Sequence, residues 1–152
     1  MTKRSKRILA VTSGGGHWVQ LLRLRPAFEG FEVTYVSRDP SSSKDVPDAR
    51  YFTIGDASRS QKLAFLVVIL QAFWILLRTQ TAIIITTGAA PGLVTLALGK
   101  TLFGAKTVWI DSIANVEKLS GSGVLAAKFA DLRLTQWPEL ADDSVQHWGA
   151  VL

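Results

Sequence analysis

The sequence predicts an α/β domain built on a mostly parallel sheet, and three observations predict it. Short Ile/Val/Thr-rich runs alternate along the chain with helix-period segments, the order that generates strand–helix crossovers. Those runs are continuously apolar rather than alternating, as expected of strands covered on both faces. Small and polar residues gather where each run stops, and open α/β sheets bind their ligands beyond the carboxyl ends of the strands.

The first strand is read at RILAVTS (7–13), followed by HWVQLLRL as a helix. FEVTYVS (31–37) is the second strand. RDPSSSKDVPDAR, from Arg38 to Arg50, is polar and turn-rich and reads as an exposed, mobile loop. An apolar helix at 63–77 leads to a strand at AIIITT (82–87). GLVTLALGKTLF is helical, with Pro91 where a first turn tolerates proline and Gly104 where a left-handed cap favours glycine. KTVWID, VLAAKFA and LRLTQ then read as strand, helix and strand. No repeat or low-complexity tract appears, and residues 1–152 are read as one domain.

With 152 residues, 48% of them hydrophobic and 19% charged, the chain can build one sizeable core, and disordered or fibrous classes fall away. The absence of cysteine excludes a thiolate zinc site, an iron–sulfur cluster and a thiol nucleophile. Two histidines, His17 and His147, make no metal site, and none is expected. The net charge of +5 is uneven: through Arg78 there are 12 basic against 6 acidic side chains, and thereafter 5 against 6. Such a balance fits nucleic acid, anionic lipid or a phosphorylated ligand. The basic start, MTKRSKR, is followed by only a short apolar run, so a cytosolic chain without a secretory signal is expected.

In LAFLVVILQAFWILL (63–77), 14 of 15 side chains are apolar, with Lys62 and Arg78 at the ends. As a helix it would be about 22 Å long, short of a ~30 Å hydrocarbon core. Either the domain buries it, or it lies in the plane of a membrane with one side against protein. A helix covering a sheet of this size normally turns a polar face to water, and only Gln71 is polar here, which favours the membrane. Lys62, Phe65, Phe73, Trp74 and Arg78 are the expected contacts.

Four strand ends carry the candidate chemistry: Ser13, Gly14, Gly15, Gly16 and His17; Ser37, Arg38 and Asp39; Thr87 and Gly88; Asp111 and Ser112. Each alone fits ordinary turn chemistry, but together they are expected to converge on one crevice. In SGGGH, backbone N–H groups and a helix N-terminus can approach a phosphate or diphosphate with no Cβ between. A dinucleotide fingerprint would need a third glycine where Val19 stands, and no GK[ST] follows the turn. Gly99-Lys100-Thr101 lies inside a helical pattern. Two groups suit proton acceptance, His17 and Asp111, and Asp111 at its strand end equally suits capping the segment that follows. Trp18 and Trp109 are expected in the core. The apolar tail HWGAVL either adds a strand to its own sheet or packs on a partner chain.

SGGGHWVQLLRL, ITTGAAPG and above all VWIDSIANVEKLSGSGVLAAKFADLRLTQWPEL resemble, over roughly residues 7–152, the membrane-associated subunit of split GT-B glycosyltransferases. That family comprises asparagine-linked glycosylation protein fourteen and its bacterial exopolysaccharide relatives. The resemblance implies a Rossmann-like domain equivalent to the N-terminal, acceptor-side half of an inverting, metal-independent transferase, with no cofactor of its own. A second polypeptide would bind the UDP-sugar, and the acceptor would be polyprenyl-diphosphate-linked, at the cytoplasmic face of the cell membrane. No nucleic acid partner is implied. The glycine turn with His17, and Thr87 with Gly88, map onto the family's diphosphate loops. Ser13 and Ser112 join them. Asp111 replaces the commoner glutamate of the acidic-serine motif that includes Glu117, and Asn115 stands where eukaryotic members carry arginine. The tail, with Trp148, Val151 and Leu152, aligns with a segment that joins the subunits. The other reading is a non-catalytic anchor that recruits and activates the partner.

Overall fold

In the computed structural model, which describes residues 6–56 and 60–151, the strands are β1 (Arg7–Val11), β2 (Glu32–Ser37), β3 (Arg50–Thr53), β4 (Ile83–Thr86), β5 (Lys106–Ile110), β6 (Leu132–Thr135) and β7 (Gln146–His147). They form one sheet in the order β3-β2-β1-β4-β5-β6-β7, and every neighbouring pair is parallel. The order reverses between β1 and β4, so the crevice between their carboxyl ends is the topological switch point of the sheet.

The helices are α1 (Gly16–Arg23), α2 (Lys62–Thr79), α3 (Ala89–Phe103) and α4 (Gly121–Leu125). The continuously apolar strands are explained by burial on both sides, since successive side chains alternate between faces. Leu9 and Val11 point into a cluster with Val68, Ile75 and Leu76 of α2 and Val94 of α3. Ile8 and Ala10 point into a second cluster with Trp18 and Leu21 of α1, Phe28 and Tyr35. Trp18 lies edge-on to Tyr35 and Tyr51, and its indole donates to Asp45 Oδ2 at 2.8 Å. Trp109 is fully buried as well. Pro91 falls in the first turn of α3, which ends on left-handed Gly104.

Two strands are added to the five read from the sequence. The segment from Arg38 to Arg50 carries local structure that its composition did not suggest. Asp39 caps a 3₁₀ turn over Pro40–Asp45 by accepting the Ser41 N–H, and Ser42 and Val46 are buried. The chain then enters β3, whose Tyr51 hydroxyl donates back to the Asp39 carbonyl. At the other edge the tail reaches its own sheet as β7, while Trp148 stays 68% exposed.

The apolar helix also differs in detail. Gln71 faces inward, where its Oε1 accepts the Gly55 N–H at 2.8 Å, and Phe65 packs against the core rather than outward. What α2 turns to the surroundings is Leu63, Leu66, Val67, Leu70, Phe73, Trp74 and Leu77, spaced three and four residues apart along one stripe.

Candidate functional site

The glycine turn forms because β1 must reverse into α1 within a few residues. Gly15 does so at φ +56, ψ −132, a conformation that a Cβ would oppose. α1 then starts at Gly16 and presents His17 to the neighbouring end of β4. Thr87 grips that residue twice. Its carbonyl lies 2.9 Å from His17 Nδ1, and its hydroxyl donates to the His17 carbonyl at 2.8 Å. A carbonyl only accepts, so the contact places a proton on Nδ1, and in the neutral ring Nε2 is the lone-pair nitrogen. Nε2 has no hydrogen-bond partner among the described residues.

Gly88 is the platform for the imidazole. It sits at φ +128, and a Cβ there would lie 3.0 Å from His17 Cε1 and 3.1 Å from Nδ1. Gly88→Ala therefore combines backbone strain with a push on the ring. It is expected to cost about 1–3 kcal/mol of stability, read from urea unfolding, and to turn His17 away from Thr87.

Asp111 follows β5 and is 1% exposed. Its Oδ1 accepts from Trp109 Nε1 at 3.0 Å and Ser120 Oγ at 2.7 Å. Its Oδ2 accepts from Asn115 Nδ2 at 3.0 Å and the Ser120 N–H at 2.9 Å. Four donors occupy the four lone-pair positions of a carboxylate. The carboxylate thus folds the 112–120 loop back onto β5, the capping role that its place at a strand end also offered, with all four lone-pair positions engaged. Asp111→Ala strands these buried donors and is expected to cost about 2–4 kcal/mol, measured by thermal or chemical unfolding.

The strand ends frame two hollows, one on each side of the glycine turn. On one side, a hollow of about 360 Å³ is lined by His17, Gly88, Asp111, Ser112, Asn115 and Ser120, among others. On the other, Ser13, Gly14 and Gly15 face about 500 Å³ shared with Arg38, Asp39 and Asp56. Arg38 pairs with Asp56 at 3.5 Å. The Ser41 N–H holds the Asp39 carboxyl below its ordinary value. Two carboxylates against one guanidinium leave the second hollow poorly suited to an anion. Thr87 lies buried beneath the first hollow. Ser112 is buried at its wall, its hydroxyl accepting from Gln20 Nε2 at 3.2 Å.

The outer stripe of α2 is edged by cations. Arg78 lies 5.5 Å from the Trp74 ring and Arg50 5.5 Å from the Phe52 ring, while Phe52 and Trp74 meet edge to face. Lys62 stands exposed at the other end, and α2 carries no acidic residue. Of the expected contacts Lys62, Phe73, Trp74 and Arg78 lie on the outside and Phe65 does not. At the tail, Trp148 and Val151 form one wall of an apolar groove with Leu24, Ile110 and Leu134. Leu152 and the basic residues 1–5 are outside the described residues.

Sequence reasoning missed Asn115 and Ser120 as partners of Asp111, the buried amides Gln20 and Gln136, and the outward leucines of α2. For the leucines a signal existed, in the i, i+3, i+4 spacing from Leu63 to Leu77.

A family profile described as "Oligosaccharide biosynthesis protein Alg14 like" matches residues 27–151. No curated protein matches the sequence. Among solved structures, the chain superposes on MurG from Acinetobacter baumannii with a TM-score of 0.76 at 10% identity, covering 97% of this chain and 46% of that one. A glycosyltransferase from Rickettsia africae gives 0.66 at 13% identity, covering 95% and 43%. A UDP-GlcNAc 2-epimerase from Methanocaldococcus jannaschii gives 0.64 at 9% identity, covering 95% and 45%. The chain thus spans a little under half the length of each. At these identities the likeness is one of fold, that of the N-terminal half of a GT-B glycosyltransferase.

Proposed function

The chain belongs to the Alg14-like oligosaccharide biosynthesis family, and we propose that it is the acceptor-side half of a two-component inverting glycosyltransferase. Family and fold together support a glycosyltransferase-associated subunit. On this reading a donor-binding partner chain brings a UDP-sugar to the hollow beside His17. The acceptor is a sugar carried on a polyprenyl diphosphate, with its diphosphate on the His17 side of the glycine turn, against Gly16, Gly88 and Ser112. Backbone N–H groups at the starts of α1 and α3 stabilise the anion.

The step is one displacement. An acceptor hydroxyl oxygen bonds to the anomeric carbon, the bond from that carbon to the UDP oxygen breaks, and the hydroxyl proton passes to His17 Nε2. UDP leaves with the bonding electrons. The observation that carries the proposal is the His17–Thr87 pair, which holds a proton on Nδ1 and aims a lone pair from a glycine-lined rim. α2 rests its apolar stripe in the cytoplasmic leaflet, with Lys62, Arg78 and Arg50 at headgroup level. The tail helps to seat the partner.

The test is transfer by the reconstituted pair. Labelled sugar should move from UDP-sugar to a polyprenyl-diphosphate acceptor only when both chains are present. Transfer by the partner alone, at the rate of the pair, would leave this chain no catalytic share.

A further inference from the structure

Two buried side-chain amides beside the site take no part in the mechanism above. Gln20 of α1 is 6% exposed and Gln136, just past β6, is 4% exposed. Gln136 Oε1 accepts the Val151 N–H at 2.9 Å. Its Nε2 donates to the Asp111 carbonyl at 3.0 Å and to Gln20 Oε1. Gln20 Oε1 also accepts the Ile113 N–H at 3.1 Å. Gln20 Nε2 donates to the Gly16 carbonyl at 3.3 Å and to Ser112 Oγ at 3.2 Å.

The direction of this chain is fixed at both ends. Backbone N–H groups only donate, so Val151 sets which way the Gln136 amide points and Ile113 sets Gln20. Every amide hydrogen then has an acceptor. Turning either amide over would set donor against donor in a buried site, where an unmade hydrogen bond is costly. The Val151 N–H is the one partner of Gln136 Oε1 among the described residues. Arg23 adds a second tie from α1 to the same tail residue, Nη1 to the Val151 carbonyl at 3.4 Å. The far end of the chain is the start of α1, next to His17, and the Ser112 wall of the hollow.

We infer that Gln136 and Gln20 are positioning residues that transmit the seating of the C-terminal segment to the glycine turn and the Ser112 wall. The inference rests on the reading above for its catalytic consequence. With the tail seated, the amide chain holds Gly16 and Ser112 in place for the acceptor. With the tail displaced, Gln136 loses its acceptor-side partner and the wall loosens. A partner chain that clamps the tail would thus complete the acceptor site from the opposite side of β6.

Amide hydrogen exchange of the full-length chain tests this without turnover. Val151→Pro removes the one N–H, Val151→Ala keeps it, and Gln136→Leu cuts the chain in the middle. Val151→Pro and Gln136→Leu should each speed exchange at the Ile113 N–H by about tenfold relative to Ile84 in the sheet core, whose exchange follows global opening. Val151→Ala should not, and the Pro and Leu changes together should add nothing to either alone. A rise at Ile113 no larger than at Ile84 in both variants, or an Ile113 amide indifferent to Val151→Pro, overturns the coupling. In the reconstituted pair, Val151→Pro should raise the KM for the lipid acceptor about tenfold and leave the KM for UDP-sugar unchanged. Equal changes in both overturn it too. A wild-type pair that transfers nothing would sink the glycosyltransferase reading, and the exchange data would still decide the coupling.

Discussion

His17→Ala in the reconstituted pair is expected to lower kcat by about a hundred- to ten-thousandfold, the usual share of a positioned general base. The partner's affinity and the melting temperature should barely move, because the imidazole is only half-buried and its main contact is one carbonyl. KM for the acceptor should change little, since backbone amides rather than the ring hold the diphosphate on this account. Thr87→Val, which keeps the carbonyl and removes the hydroxyl grip, should give a smaller loss. If His17→Ala turns over like wild type, the chain is an anchor that activates a partner carrying all the catalytic groups.

The second large effect concerns the outer stripe of α2. Leu66 is 51% and Leu70 59% exposed, so replacing both by Glu removes no core contact and should leave stability within about 0.5 kcal/mol. Binding to vesicles that contain anionic phospholipid should nevertheless fall at least about a hundredfold. Two leucines inserted in the acyl region are worth about 3 kcal/mol or more, and two new carboxylates meet a negative surface. Raised salt should weaken wild-type binding without abolishing it, because Lys62, Arg50 and Arg78 supply only the screened part. α2 is 18 residues long, about 27 Å, but Val68, Ala72, Ile75 and Leu76 are locked in the core. On the proposed reading it would therefore lie along a bilayer rather than through one. Unchanged flotation of the double variant would mean that this stripe is covered by protein instead.

Much of this architecture was legible because the signals were local. Apolar runs bounded by small residues locate β1, β2 and β4–β6, whereas the switch point comes from the spatial order of the strands. β3 and β7 were hidden for different reasons. RYFT is flanked by polar turn residues and carries an arginine and a threonine, so it reads as loop until Tyr51 is seen to close onto Asp39. QH is two residues long and owes its place to the edge of β6. The candidate site was legible as a list of strand ends but not as roles. Whether Asp111 takes protons or holds a loop depends on where Asn115 and Ser120 return in space, and nothing in their spacing says so. Gln20 and Gln136 are 116 positions apart, and each is unremarkable within its own segment. Gln71 looked like a polar face of α2 because its partner, the Gly55 N–H, comes from the chain before the helix.

The central claim is that the glycine turn beside His17 receives a lipid-borne diphosphate. The most direct measurement is titration of a short-chain polyprenyl diphosphate sugar into the isotope-labelled full-length chain, following backbone amide resonances. Saturable shifts are expected at Gly16, His17, Gly88 and Ala89, with inorganic phosphate competing weakly. Shifts confined to the α2 stripe, with the glycine amides unmoved at saturation, would contradict it.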